Sequence, residues 1–182
     1  MNNWEEEFDS QFKDYGGRFS LTEFPENPIN GFLENLRYFL KYEIDKNLSY
    51  PNVYLDFIDD TAFDAIALKT TEGKYFIGIN IGVYVVLLEI FTRMLSDNKV
   101  LPTYGDIEKE ISRDKLFDPH LIDFKLLASQ IEPSGVFEPK CPLRSTLAYQ
   151  MVMMCFQNLV LHEFSHIING HLTVSLRQNP SC

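Results

Sequence analysis

The sequence predicts an α+β fold in which a small antiparallel sheet packs beside one long helix. Short runs rich in β-branched and aromatic residues surround a glycine turn between residues 53 and 81. Apolar residues at helical spacing occur on either side of that region, over 30–44 and 82–94. The stretch 147–169 is mostly apolar and contains neither proline nor glycine, which is typical of a long helix.

The length and composition favour a single domain. The chain has 182 residues, of which 45% are hydrophobic and 14% aromatic, enough to bury a core without disulfide bonds. We therefore predict one domain over residues 1–182. The net charge of −10 repels phosphate backbones, so nucleic acid is not an expected partner.

The cysteines and the apolar runs indicate a cytoplasmic protein. Cys141, Cys155 and Cys182 are an odd number at irregular spacing, unlike a disulfide framework or paired zinc thiolates, and reduced thiols suit the cytosol. The first residues carry acids where a secretory signal carries basic residues and an apolar run. The longest apolar runs, 81–91 and 147–156, are too short for a bilayer, so we predict no membrane span.

The first half of the chain contains a helix, three strands and a second helix. Residues 1–30 are polar and contain Gly16-Gly17, Pro25 and Pro28, which predicts at most a short helix in a mobile or draped segment. An amphipathic helix follows over 30–44. The next predicted elements are strands at 53–58, 62–69 and 75–81 and a helix of about four turns from Gly82.

The connections are set by glycine and proline. Gly73 lies in the link 70–74 and supplies the positive φ of a tight hairpin, which makes the flanking strands antiparallel. Residues 98–144 are irregular and rich in proline. We interpret them as an insertion that covers one side of the site, with candidate helices at 104–112 and 120–131.

One long helix is predicted over 147–169, from an N-cap at Ser145-Thr146 to a C-cap at Gly170. Burying polar side chains on such a helix costs free energy unless partners or water satisfy them. A metal site that lines a cleft would account for the polar stripe in its C-terminal half, which spans about 100° and comprises Asn158, His162, Ser165, His166 and Asn169.

Two histidines and a glutamate on this helix carry the chemistry. His162 and His166 are one turn apart and about 40° apart around the axis, so their imidazole nitrogens can bind one metal ion. Glu163 is about 100° from His162, beside the metal. His-Glu-x-x-His is the arrangement of zinc metallopeptidases, in which zinc lowers the pKa of a bound water and the glutamate takes its proton.

The histidines and Cys155 also have simpler interpretations than a metal site. The spacing can arise by chance, in which case the two histidines are satisfied groups in a helical core. His120 follows Asp118-Pro119, which favours a polar turn or a helix start over a metal ligand. Cys155 lies two turns before His162 and is expected to pack in the core. We favour the metal site because the spacing and the polar stripe agree.

The segment 162–171, His-Glu-Phe-Ser-His-Ile-Ile-Asn-Gly-His, resembles the motif of the zincin peptidases. Within them it is similar to the gluzincins related to HtpX and to the CAAX prenyl endopeptidases. The order of strand, hairpin, strand and helix over 53–97 is also similar. A second resemblance is to the cytosolic phage-exclusion peptidases of the Lit type. These resemblances imply a zincin-like fold, bound Zn²⁺ and a peptide or protein substrate.

The resemblance also implies a substrate-binding edge and a third zinc ligand. In such enzymes the outer strand of the sheet pairs with the substrate backbone, which implies 75–80 as that edge; a plain buried hairpin is the alternative. Gluzincins take the third ligand from a glutamate on a later helix, yet no acidic residue follows Glu163. Metzincins use a histidine six residues after the second one, where this chain has Leu172.

Several groups remain candidates for the third ligand. His171 would lie about 180° from His162 on a continuous helix, so only a helix break at Gly170 would bring it to the metal. The other candidates are an upstream acid such as Glu89, His120, water, a partner chain, or a later segment of a longer natural protein. We favour the last, in which the chain is an incomplete domain.

The sequence thus predicts a zinc-dependent endopeptidase that hydrolyses the peptide bonds of a protein substrate. His162 and His166 are the predicted metal ligands, and Glu163 is the general base and then the proton donor. The alternative is a non-catalytic binding or regulatory module on the same scaffold, with structural zinc or none.

Overall fold

The computed structural model describes residues 3–20, 28–110 and 138–172. These residues form an α+β structure, as predicted, with a three-stranded sheet and two short 3₁₀ turns at Lys13–Tyr15 and Ile107–Lys109. The helices and strands are α1 Asn3–Phe12, α2 Pro28–Asp45, β1 Val53–Ile58, β2 Ala65–Lys69, β3 Tyr75–Asn80, α3 Ile81–Leu95 and α4 Pro142–Ile168.

The chain divides into two compact units. The first contains the described residues of 1–59, 65–79 and 156–182, and the second contains those of 60–64 and 80–155. The sheet of β1, β2 and most of β3 belongs to the first unit, together with the C-terminal half of α4. The prediction of one domain for the whole chain stays a prediction.

The hairpin is confirmed, but the sheet is mixed and not antiparallel throughout. β2 and β3 are antiparallel, with Ala65 opposite Ile79 and Lys69 opposite Tyr75, and Gly73 has φ +83° in the turn between them. The strand order is β1-β3-β2, so the pair β1–β3 is the parallel one. A hairpin signal fixes only the pairing of neighbouring strands, whereas the place of β1 depends on contacts between distant segments.

The strand order corrects the proposed substrate edge. Tyr75–Asn80 forms β3, the central strand, which is hydrogen-bonded on both sides. Its side chains Phe76, Ile77 and Ile79 are fully buried, as expected for a strand covered on both faces. β3 therefore matches the alternative of a buried strand, and the half-buried β2 lies at the edge of the sheet.

The N-terminal segment is packed on the sheet in its described part. Trp4, Phe8 and Phe12 lie four residues apart on one face of α1, and Phe8 and Phe12 are fully buried. They pack with Phe76 of β3. Gly78 permits this approach, since a Cβ there would lie 2.6 Å from the Phe12 ring. Glycine and proline in 1–30 predicted at most a short helix, whereas the aromatic spacing in α1 is the signal of its burial. Residues 21–27 lie outside the described ranges.

Helix α2 extends the predicted helix by two residues at its start and one at its end. Its buried face comprises Ile29, Phe32, Leu33, Leu36 and Leu40. On the side of β1, the Arg37 guanidinium donates to the Leu55 carbonyl at 3.0 Å and to the Asp56 carboxylate at 2.8 Å. A polar connection therefore supplements the apolar contact between α2 and the sheet.

Helix α3 and the start of α4 belong to the second unit. α3 has the predicted position, and Gly82 in its first turn lies against the Thr61 carbonyl, where a Cβ would come within 2.3 Å. Of the predicted helix over 104–112, only the 3₁₀ turn at Ile107–Lys109 is seen in the described part. The candidate helix 120–131 lies outside the described ranges, and the interpretation of 98–144 as an insertion stays a prediction.

Helix α4 begins earlier than predicted, at Pro142. Proline is favoured in the first turn because its missing N–H needs no partner there. Glu110 accepts hydrogen bonds from the backbone N–H groups of Lys140 and Cys141, just before the helix. No helix within the described ranges combines the length and the hydropathy needed to cross a bilayer.

Candidate metal centre

The C-terminal half of α4 is anchored by apolar side chains. Phe156 is fully buried and makes edge-to-face contacts with Phe32 at 5.0 Å and with Phe57 at 5.9 Å between ring centroids. Two turns later, Phe164 packs edge-to-face on Tyr50 at 5.5 Å. These contacts join α4 to α2, to β1 and to the loop before β1, and they fix which side of the helix remains accessible.

His162 and His166 lie on that accessible side. Their Nε2 atoms are 3.2 Å apart, and their ring planes are almost perpendicular at 89°. His162 is exposed and His166 is half-buried. The structure thus brings together the two predicted ligands, and the exposure of His162 contradicts the alternative of a satisfied helical core.

Glu163 completes the cluster that the sequence predicted. Ligand atoms of His162, Glu163 and His166 lie within 4.8 Å of one another. Glu163 is 8% exposed, in contrast to the more accessible His162. A carboxylate next to the ring nitrogens, and held by packing, is in position to exchange a proton with a small molecule bound between them.

The donor set fits a tetrahedral zinc ion. Two imidazole nitrogens at about 2.0–2.1 Å from such an ion lie roughly 3.3 Å from each other. The observed separation of 3.2 Å is within about 0.2 Å of that value. Binding requires the lone pair of each Nε2, which leaves each Nδ1–H to a hydrogen-bond acceptor.

The rest of the polar stripe is not buried. Asn158 and Asn169 are exposed, and Ser165 is half-buried. The Ser165 hydroxyl donates to the His162 carbonyl at 2.6 Å, and the Asn169 amide donates to the Ser165 carbonyl at 2.8 Å. These groups need no metal to compensate for burial, so the metal site is supported only by the geometry of the two imidazoles and Glu163.

The helix ends in a turn that moves His171. Gly170 has φ +68°, its N–H donates to the Ile167 carbonyl at 3.2 Å, and the His171 N–H donates to the His166 carbonyl at 3.0 Å. The confirmed stop at Gly170 places the His171 ring 5.8 Å from the His166 ring. On a continuous helix His171 would lie about 180° from His162 and could not bind the same metal. The sequence Asn169-Gly170 already indicates that the helix ends before His171.

The other candidate ligands have different surroundings. Glu89 is buried and forms an ion pair with Arg93 one turn later in α3. Cys155 is half-buried, and burial raises the pKa of its thiol, which favours the predicted packing role. His120 lies outside the described ranges.

Comparison with known proteins gives no match: no protein-family model, no curated protein and no solved structure is similar to the chain.

Proposed function

We propose that the chain is a zinc-dependent endopeptidase with a zincin-like fold, in which His162 and His166 hold the metal and Glu163 moves the proton. The single observation that carries this proposal is the convergence of two accessible Nε2 atoms, 3.2 Å apart, with a carboxylate within 4.8 Å. A bound zinc ion supplies a Lewis acid that polarises a carbonyl and acidifies water.

The chain's own residues supply the remaining steps of peptide hydrolysis. Glu163 accepts a proton from the attacking water and donates it to the departing amide nitrogen. Its limited exposure lowers the competition from bulk water, while the more open His162 leaves a route for a large substrate. We propose a peptide or protein substrate because this arrangement suits attack on a polarised amide carbonyl.

The edge of the sheet gives the substrate a place to bind. β2, Ala65–Lys69, is the half-buried edge strand next to β3. An extended peptide can add to such an edge through main-chain hydrogen bonds. We therefore assign to β2 the substrate-binding role that the sequence analysis gave to 75–80.

The proposal includes a cytoplasmic location. It is supported by the odd number and irregular spacing of the three cysteines and by the free thiols of Cys141 and Cys155, which suit a reducing compartment.

The test compares zinc content and peptide cleavage in one set of variants. Freshly purified protein is analysed for zinc by mass spectrometry, and β-casein serves as an unfolded substrate with and without 1,10-phenanthroline. We expect one zinc per chain and cleavage that chelation abolishes. Glu163→Gln should keep the zinc and lose activity by a factor on the order of 10² to 10⁴, because the proton acceptor is gone.

A matched variant separates this effect from a general loss of charge. Glu72→Gln changes an exposed acid in the β2–β3 turn and should leave zinc and cleavage unchanged. If Glu163→Gln cleaved β-casein as fast as wild type, Glu163 would not be the proton acceptor of the reaction. Protein with neither zinc nor cleavage would favour the binding module, the alternative suggested by the lack of an acidic residue after Glu163.

A further inference from the structure

We infer that His171 is the third protein ligand of the metal site and that the turn at Gly170 places it there. The inference rests on the zinc site proposed above and assigns the ligand that a gluzincin would take from an acidic residue. Four observations support it: the geometry of the turn, the position of the ring, its accessibility and the engagement of the other candidates.

The turn at the end of α4 reverses the chain beside its own last turn. The hydrogen bonds from Gly170 to Ile167 and from His171 to His166, together with the positive φ of Gly170, form a Schellman motif. In that motif the second residue after the C-cap lies next to the third residue from the helix end. Here those two residues are His171 and His166, so the backbone itself places a third imidazole beside that of His166.

The distance between the rings is close to what a shared ion requires. Two imidazole rings on one tetrahedral zinc have centroids about 5 Å apart, given Zn–N bonds of roughly 2 Å. The rings of His162 and His166 are 4.7 Å apart, and those of His166 and His171 are 5.8 Å apart. The separation of His166 and His171 thus exceeds the value for a shared ion by roughly 1 Å.

The His171 side chain has room to make that shift. It is exposed and follows the last turn of the helix, so rotation about its side-chain bonds displaces no core residue. Within the described ranges its nitrogens are outside the group of ligand atoms that lie within 4.8 Å of one another. Rotation of this exposed side chain can therefore bring the His171 ring closer to His166.

The other described candidates are engaged elsewhere. The Glu89 carboxylate is paired with Arg93, and Cys155 has a thiol whose pKa burial raises. Three neutral imidazoles and one open position form a known type of catalytic zinc site. Glu163 is the acidic residue of the cluster.

The experiment measures zinc affinity by competition with a fluorescent chelator, and Co²⁺ absorption as a second readout that does not depend on turnover. His171→Ala should lower the zinc affinity by about 100-fold or more, since loss of a mere second-shell partner already costs about 10–100-fold. The d–d bands of bound Co²⁺ should change because the coordination number or the ligand field changes. His120→Ala is the matched control and should keep the wild-type affinity.

Two substitutions of Gly170 test the turn without removing a ligand. Gly170→Ala strains the left-handed conformation and should weaken zinc binding, whereas Gly170→Asn, which tolerates that conformation, should bind nearly as well as wild type. In the His171→Ala background, Gly170→Ala should have no further effect on the zinc affinity. Circular dichroism of each metal-free variant checks that α4 is retained.

Different experimental results would overturn the ligand role of His171 and the proposed zinc site. Unchanged affinity and Co²⁺ spectrum in His171→Ala, with binding lost in His162→Ala, would overturn the ligand role and leave the peptidase site intact. Loss of affinity in His120→Ala instead would assign the third ligand to that residue. A wild-type protein that binds no zinc would overturn the ligand role and the zinc site together.

Discussion

The two ends of α4 hold polar side chains in opposite ways. Near the start, Arg144 is completely buried. Its five guanidinium N–H groups donate to five backbone carbonyls, those of Leu95, Asp97, Val100, Leu101 and Tyr104. Near the end, His162 is exposed and its Nε2 faces that of His166.

This difference separates a polar side chain whose donors are all used from a pair of imidazoles of which one is exposed. The five donors of Arg144 are all used, so the side chain is saturated and can only hold the segment 95–104 in place. The two Nε2 atoms converge beside the exposed His162, where a ligand can reach them. Substitutions near the start of α4 should therefore lower the stability of the fold, and those near its end should weaken metal binding.

Among the polar side chains of α4, the largest effect on stability should come from Arg144→Met. It leaves five carbonyls without their donor and should lower the free energy of unfolding by about 3–5 kcal/mol. Urea denaturation followed by circular dichroism measures it. Arg144→Lys keeps the charge but not the planar fork, so it should recover only a small part of the loss.

The control for Arg144 is an exposed cation. Lys41→Met removes an exposed ion pair with Asp45 in α2 and should cost at most about 0.5 kcal/mol. If Arg144→Met and Lys41→Met lowered the free energy of unfolding equally, the five hydrogen bonds to carbonyls would contribute nothing specific to stability.

A buried carboxylate in the first unit extends the comparison to pH. Asp56 is 2% exposed and accepts hydrogen bonds from Arg37 and Tyr54. Burial raises the pKa of its carboxyl above 3.8 and outweighs the opposing effect of Arg37. The folded protein thus binds this proton more tightly than the unfolded chain does.

The sign of the pH dependence follows from that shift. The stability that the Asp56 proton contributes is fully present below pH 3.8 and is lost as the pH rises through the raised pKa. The unfolding free energy of wild type minus that of Asp56→Asn should therefore fall with rising pH, by no more than about 1.4 kcal/mol per pH unit. Thermal unfolding of both proteins between pH 3 and 8 measures it, and a difference that rises with pH would refute it.

Among the polar side chains of α4, the smallest effect on stability should come from His162→Ala. In zinc-free buffer this exposed residue should change the free energy of unfolding by about 0.5 kcal/mol or less, although its zinc binding should be lost. Phe164→Ala, two residues later, removes a buried ring that packs on Tyr50 and should cost about 3–5 kcal/mol. A large loss in His162→Ala without zinc would make that residue structural.

The sequence predicted much of the fold where the signal was local. The hairpin around Gly73, the amphipathic α2 and the helix predicted from Gly82 correspond to observed elements. The pairing of His162 and His166 was predictable because residues four apart always share a helix face. The predicted start of α4 is wrong: Ser145-Thr146 is a favourable cap sequence, but the helix begins at Pro142.

What the sequence determined by itself is the set of groups that can act: two imidazoles and a carboxylate on one helix, and a glycine that ends it. These follow from helix geometry and from the conformational freedom of glycine, which are properties of a few neighbouring residues. The tertiary structure decided which strand is central, how α1 is buried and which carbonyls Arg144 binds. Those outcomes depend on contacts between segments far apart in the chain, because the free energy of burial is shared among all the segments that meet in a core.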